Sequence, residues 1–241
     1  MTRFFVILLM GFGILSGPAL AASAHDFEGL IHPSEFVKLS SQVTGVLEEV
    51  FVERGDIVTK GQAVASLKAG LERVAVKLAQ TNLDFLQRKK ERNVDMARKK
   101  LISANDLDEL ETEQKKAEHQ LEEAQERLKA KTIFSTIDGV VVERMLAPGD
   151  YVGEAPIFKL ARLDPLKVEI IVPVKQFGSI KSGMKAEVRP EQPVGGVYIG
   201  KVTIVDKVID AASNTFVVRV DIPNPALKIP SGLRCRVRFL K

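Results

Sequence analysis

The 241-residue sequence predicts a mainly β fold interrupted by an α-helical coiled-coil hairpin. Three observations carry that expectation. A strand-like segment occurs twice, a long helix-forming insertion separates the copies, and a run of alternating apolar strands follows the second copy. The single thiol, Cys235, rules out an intrachain disulfide, so packing must hold the fold.

At the N-terminus Arg3 precedes the apolar run Phe4 to Leu15, followed by Pro18 and the small residues "ALAASA". This is the pattern of a secretory signal. The run of about twelve apolar residues falls short of the roughly twenty that span a bilayer. Residues 1–24 are therefore expected to be a signal peptide cleaved after Ala21 or Ala24, leaving a mature protein outside the cytoplasm. No cysteine follows the run to receive a lipid. Cleavage after Ala24 would leave His25 first, offering copper an amine and an imidazole, a reading that retention of copper by the secreted protein would test. Residues 25–42 are expected to form a strand or linker.

The repeat lies in "VTGVLEEVFVERGDIVTKGQAVASL", Val43 to Leu67, and "IDGVVVERMLAPGDYVGEAPIFKL", Ile137 to Leu160. Aligning Gly45 with Gly139 sets an offset of 139 − 45 = 94, which also superimposes Glu49 on Glu143, Gly55 on Gly149 and Asp56 on Asp150. Each copy reads as short strands broken by a Gly-Asp turn. Glycine supplies the positive φ and aspartate bonds the turn backbone. Such turns alone mean only hairpins; the duplication is the added information.

Between the copies, Leu71 to Lys131 contains no proline and is rich in helix formers. Two helices are expected, broken at "LISANDLDEL", with Ser103 as N-cap of the second and Asp106 closing a shortened capping box. Leu107, Leu110, Gln114, Ala117, Leu121, Ala124 and Leu128 step by three and four, a coiled-coil seam. The first helix has two apolar stripes, Val74, Leu78, Thr81, Phe85 and Val76, Ala79, Leu83, Leu86. One suffices for the second helix. The other is left for a neighbouring copy or for the base of the hairpin. From Leu71 to Lys100 there are nine basic and four acidic side chains, and from Ala104 to Lys131 five and nine, so the arms attract. Arg98 to Lys100 also sit at a negative helix end, and Asp106, Asp108 and Glu109 at a positive one.

After Leu163, "PLKVEIIVPV", "GKVTIVDKV", "TFVVRVDI" and "LRCRVRFL" imply a small antiparallel barrel or sandwich. In the last, Leu233, Cys235, Val237 and Phe239 share one face and Arg234, Arg236 and Arg238 the other. Cys235 reads as a core residue. The arginine row is a solvated face that could also meet an acidic partner or anionic lipid.

Several function classes lack their parts. Lys and Arg (35) nearly match Asp and Glu (31), and no aromatic residues interleave the basic runs, so nucleic acid is not an expected partner. His25, His32 and His119 are scattered and suggest neither a triad nor a metal cluster. No glycine loop for a nucleotide phosphate is present. An enzyme is not expected, and no cofactor or metal is assigned.

The split repeat with its Gly-Asp turns resembles the biotinyl/lipoyl domain. In the carrier enzymes of that family a modified lysine sits where the halves meet. Here the helical hairpin occupies that junction and Lys68 precedes a helix, so no biotin or lipoate carrier is expected. A signal sequence, a lipoyl-like domain split by a coiled-coil hairpin and a following β-barrel together look like the periplasmic adaptor proteins, or membrane fusion proteins (HlyD-like), of tripartite efflux pumps. The resemblance covers essentially the whole mature chain. It implies a lipoyl-like domain over 43–68 and 132–163, a hairpin over 69–131 and a β-barrel over 164–241, with 25–42 joining the barrel and lipoyl regions.

The family's hairpin tip carries R-x-x-x-L-x-x-x-x-x-x-S for docking an outer-membrane channel. Arg92, Met96 and Ser103 occupy that register here, with Met for Leu. Beside that reading stand plain ones: Arg92 as solvated surface, Met96 as seam packing and Ser103 as a helix cap. Barrel segments Asp210 to Ile222 and Leu227 to Val237 also resemble the family, although Pro230, Ser231, Gly232 and Leu233 stand where P-G-M is usual. The sequence ends at Lys241, after the barrel, where many members continue into a membrane-proximal domain.

The resemblance implies a non-enzymatic periplasmic adaptor, peripheral to the inner membrane. Its partners would be an inner-membrane transporter, an outer-membrane channel and further copies of itself, six by analogy. A transporter of the resistance-nodulation-division (RND) type is favoured over an ATP-driven (ABC) exporter. Arg234, Arg236 and Arg238 are candidates for transporter or lipid contact. The alternative is an envelope scaffold or tether of the same fold that joins no pump.

Overall fold

The computed structural model describes residues 26–99 and 103–240. The expected signal peptide with Ala21 and Ala24, and His25 after it, lie outside the described residues, as do residues 100–102 and 241. In chain order the elements are β1 (Phe27–Leu39), β2 (Gly45–Val50), β3 (Ile57–Val58), β4 (Ala63–Leu67), α1 (Gly70–Arg98), α2 (Ala104–Lys129), β5 (Thr132–Phe134), β6 (Gly139–Arg144), β7 (Tyr151–Val152), β8 (Phe158–Pro173), β9 (Lys185–Pro190), β10 (Tyr198–Val205), β11 (Thr215–Ile222) and β12 (Arg234–Phe239).

The two copies of the repeat fold as interlocked halves. β3 pairs with β6 of the second copy, while β7 pairs with β2 of the first. The exchange follows the 94-residue offset bond by bond. Leu47 N donates to Asp150 O and Val141 N to Asp56 O, both at 2.9 Å. Gly55 N donates to Val141 O (2.9 Å) and Gly149 N to Leu47 O (2.8 Å). Gly55 and Gly149 share a φ of +98°, which favours glycine. The Asp56 carboxylate accepts from Glu53 N at 2.8 Å, and that of Asp150 from Ala147 N at 2.7 Å, each locking its own turn. Neither half can satisfy its backbone alone. Between them lies an apolar core that includes Leu47, Val58, Val141, Val152, Phe158 and Leu160.

The hairpin enters and leaves this core at one point. β4 pairs with β5, matching Ser66 with Thr132, and Leu67 N donates to Lys131 O at 2.8 Å. Because the ends of the insertion are adjacent strands, a long hairpin can project there without opening the repeat.

The barrel is closed. β1, β12, β9, β10, β11 and β8 follow edge to edge, and the pairing of β1 with β8 completes the ring. β11 alternates strictly between partly exposed and buried positions, and Phe216, Val218, Val220 and Ile222 fill the interior with Ile31 and Val237. β1 and β8 are long enough to serve two cores. Ile31 and Leu166 lie in the barrel, whereas Leu39 and Phe158 lie in the repeat, with a register shift between Pro33 and Glu35. The closed mixed architecture is the mainly β fold with a helical hairpin expected from the sequence.

Candidate functional site

The hairpin is built from the seam upward. Along α2, Leu110, Ala117 and Ala124 are buried, while Leu107, Gln114, Leu121 and Leu128 are half-buried between them. On α1, Leu83 and Leu86 are buried and Val76 and Ala79 half-buried, so this is the stripe that meets α2. The other stripe is open: Leu71 is 85% exposed, Leu78 71% and Phe85 51%, with Val74 beside them. It is not covered by the base of the hairpin. Next to it a groove of about 970 Å³ runs between the helices, floored by the small side chains Ala75, Ala79 and Ala124. Charge holds the arms as expected, through Lys89 to Glu113 (3.4 Å) and Lys90 to Glu111 (3.3 Å). At the base Lys131 reaches Glu72 at 3.2 Å and the Thr44 carbonyl at 3.2 Å, tying the hairpin to the repeat. Glu72's own backbone amide, and then Lys131, hold its carboxyl below the ordinary range.

Of the three tip residues, Arg92 and Met96 lie one turn apart on α1 and both are exposed, Met96 to 42%. Arg92 makes no ion pair among the described residues. Ser103 opens α2 as a reciprocal capping box: its hydroxyl accepts from Asp106 N at 3.2 Å and its own N donates to the Asp106 carboxylate at 3.1 Å. The Ser103 side chain, and then its backbone N–H, hold the Asp106 carboxyl below its ordinary pKa. The structure thus places all three residues at the end of the hairpin remote from the β-sheets, and gives Ser103 a structural task of its own.

On the barrel, the arginine row is not uniform. Arg238 is held by Asp26 at 2.8 Å, and Arg236 stands opposite Glu28 of β1 and Arg189 of β9. Arg234 and Arg236 remain exposed. Cys235 faces the core, and burial pushes its thiol up to about 12, so it stays protonated and inert. His32 stands 3.9 Å from Glu169, and His119 is exposed beside Glu122. Among the described residues no cluster of histidine, cysteine and carboxylates could hold a metal. Lys68 follows β4 directly and precedes α1, and is exposed there.

One residue that sequence reasoning missed is Asn224. It is buried where the barrel meets the repeat, with its amide donating to the Leu163 and Ile229 carbonyls (3.1 and 3.0 Å) and accepting from Ile229 N (3.1 Å). An asparagine in a loop looks like any turn residue, and only the fold shows its partners.

Comparison with known proteins places this geometry. Residues 35–162 match the family of CzcB-like barrel-sandwich hybrid domains, and residues 166–241 that of CusB-like β-barrel domains. Among curated relatives, a macrolide export protein, MacA, of Yersinia pestis is 27% identical over 78% of this chain and 60% of its own length. A membrane protein of Acidithiobacillus ferridurans is 27% identical over 83% of this chain and 61% of its own. The chain thus spans about three fifths of the length of these relatives. Among solved structures, a chimera of MacA bearing the Pseudomonas aeruginosa MexA α-hairpin superposes with a TM-score of 0.73 at 21% identity, covering 89% of this chain and 80% of that one. The membrane fusion protein Spr0693 of Streptococcus pneumoniae gives 0.67 at 18% identity, covering 90% and 99%.

Proposed function

The chain belongs to the membrane fusion protein family of efflux adaptors, and from that premise we propose that it bridges an inner-membrane transporter to an outer-membrane channel across the periplasm. The members of this family are adaptors and not enzymes. The observation that carries the proposal is the placement of the hairpin. It projects from the closure point of the repeat, and α1, with its 29 residues, spans roughly 43 Å to a tip bearing exposed Arg92 and Met96. In this reading those two side chains and the Ser103 turn contact the channel, and Arg234 and Arg236 contact the transporter. A transporter of the RND type is favoured, since residues 166–241 match a barrel family of that kind. Transport energy comes from the transporter.

Self-association follows from the open stripe. Leu71, Val74, Leu78 and Phe85 form a ridge beside a groove floored by alanines, and α1 is net basic where α2 is net acidic. A neighbour in the same orientation would set one copy's basic arm against the next copy's acidic arm, a head-to-tail contact that closes into a ring. The mature chain, exported by its cleaved N-terminal segment, is periplasmic and peripheral to the inner membrane. Among the described residues no helix is long and apolar enough to cross a membrane.

Co-purification from solubilised envelopes tests the bridge. Tagged chain should bring down one protein of each membrane, and the double variant Arg92→Glu, Met96→Asp should lose the outer-membrane protein alone. Recovery of neither, from chain that is normally secreted, would favour a scaffold that joins no pump.

A further inference from the structure

The barrel has an end that the adaptor reading leaves unused. It is the end of β8 remote from the repeat, where Pro173 pairs with Thr215 and the short turn Val174–Gln176 is fixed by Val174 N donating to Asn214 O at 3.0 Å. Two loops meet here, 174–184 and 206–214. The first loop is tied to the neighbouring strands by Ser182 Oγ donating to Thr203 O of β10 (3.1 Å) and by Phe177 packing edge-on against Phe216 of β11, with ring centres 5.3 Å apart.

These loops expose what a polar loop normally hides. Val208 is 82% exposed at the tip of its loop, with Ile209 and Phe177 also open to solvent. Around them stand the exposed lysines Lys175, Lys181, Lys185 and Lys207, none of which makes an ion pair among the described residues. Three acids share the end, Asp26, Asp206 and Asp210; Asp26 is taken by Arg238 at 2.8 Å, and the Asp210 carboxylate by Ala212 N at 2.9 Å within its own turn. Four lysines with no ion pair among the described residues, against three acids of which two are engaged, ring protruding apolar tips, a surface in which charge and hydrophobicity act in the same direction.

We propose that this end of the barrel docks on the surface of an anionic phospholipid bilayer, the lysines meeting headgroup phosphates and Val208, Ile209 and Phe177 entering the interface. Charge complementarity selects the occupant: unpaired lysines about an apolar tip are the pattern that anionic headgroups over acyl chains accept. The hairpin leaves from the other end of the molecule. Lipid docking would therefore orient α1 and α2 away from the membrane before any protein partner is engaged.

Vesicles alone test this, so the outcome does not depend on the pump. The chain contains no tryptophan, which makes Val208→Trp a single fluorescent reporter in an exposed loop. Mature secreted protein should show a blue-shifted emission with vesicles rich in phosphatidylglycerol and little shift with phosphatidylcholine, while His119→Trp on the hairpin, an exposed position, should show none. Wild-type protein should sediment with the anionic vesicles, and the triple variant Lys175→Glu, Lys181→Glu, Lys207→Glu should bind more than about tenfold more weakly. Unchanged emission at position 208, or sedimentation unaffected by the triple variant, would overturn the proposal. Absence of vesicle binding together with cross-linking of residue 208 to a membrane protein would overturn it too, and assign this end to a protein partner.

Discussion

At Ser103 a structural task and a proposed docking task share one side chain, and substitution can separate them. Ser103→Ala removes the cap and should cost about 1 kcal/mol, seen as lost helicity, while Ser103→Asp keeps an acceptor and should recover most of it. If channel capture also recovers with Asp, the residue acts through the helix; if it does not, the hydroxyl itself is read by the partner. The cap has a pH signature. The folded pKa of Asp106 is lowered, so its contribution is present above the ordinary value of 3.8 and is lost as pH falls through the lowered one. Fraying of α2 measured by circular dichroism should therefore begin only in acid. Asn224 lies at the opposite extreme of legibility. Asn224→Leu strands two carbonyls and an amide in the interior and should cost roughly 3 kcal/mol in a urea melt. Nothing local in its sequence announces this, because a buried polar residue is defined by partners such as Leu163, distant in the chain.

Among the elements, the repeat and the hairpin could be read from the sequence because each rests on a period or an offset. The seam from Leu107 to Leu128 is buried in the order its spacing predicts, and the 94-residue offset reappears as paired hydrogen bonds. Barrel closure could not be read that way. β1 closes the ring between β12 and β8, pairing Leu30 with Arg234, and no local pattern records a partner so far along the chain. The repeat also conceals an asymmetry. A Cβ at Gly139 would collide with the Ala161 backbone carbonyl, whereas one at Gly45 would only touch the Leu67 side chain, at 3.4 Å. Gly139→Ala should cost about 3 kcal/mol or prevent folding, and Gly45→Ala less than about 1 kcal/mol, by thermal melts of the two variants. Equal losses would mean that the two halves are not packed as described.

For the whole molecule, the proposed assembly through the open stripe on α1 can be tested apart from folding. Leu78→Glu with Phe85→Glu changes exposed positions only, so the monomer should stay within about 0.5 kcal/mol of the original, while sedimentation velocity should show the loss of higher oligomers. A ring that survives these changes would place the contact elsewhere. The proposed bridging role depends on the hairpin tip meeting a channel, and one measurement addresses that directly: photo-cross-linking in living cells from a reactive amino acid at position 96, with the captured protein identified. Capture of an outer-membrane channel protein, lost when Arg92 is changed to Glu, is the predicted result. Normal secretion with no such capture would contradict the bridging role and leave Arg92 and Met96 as ordinary surface of a coiled coil.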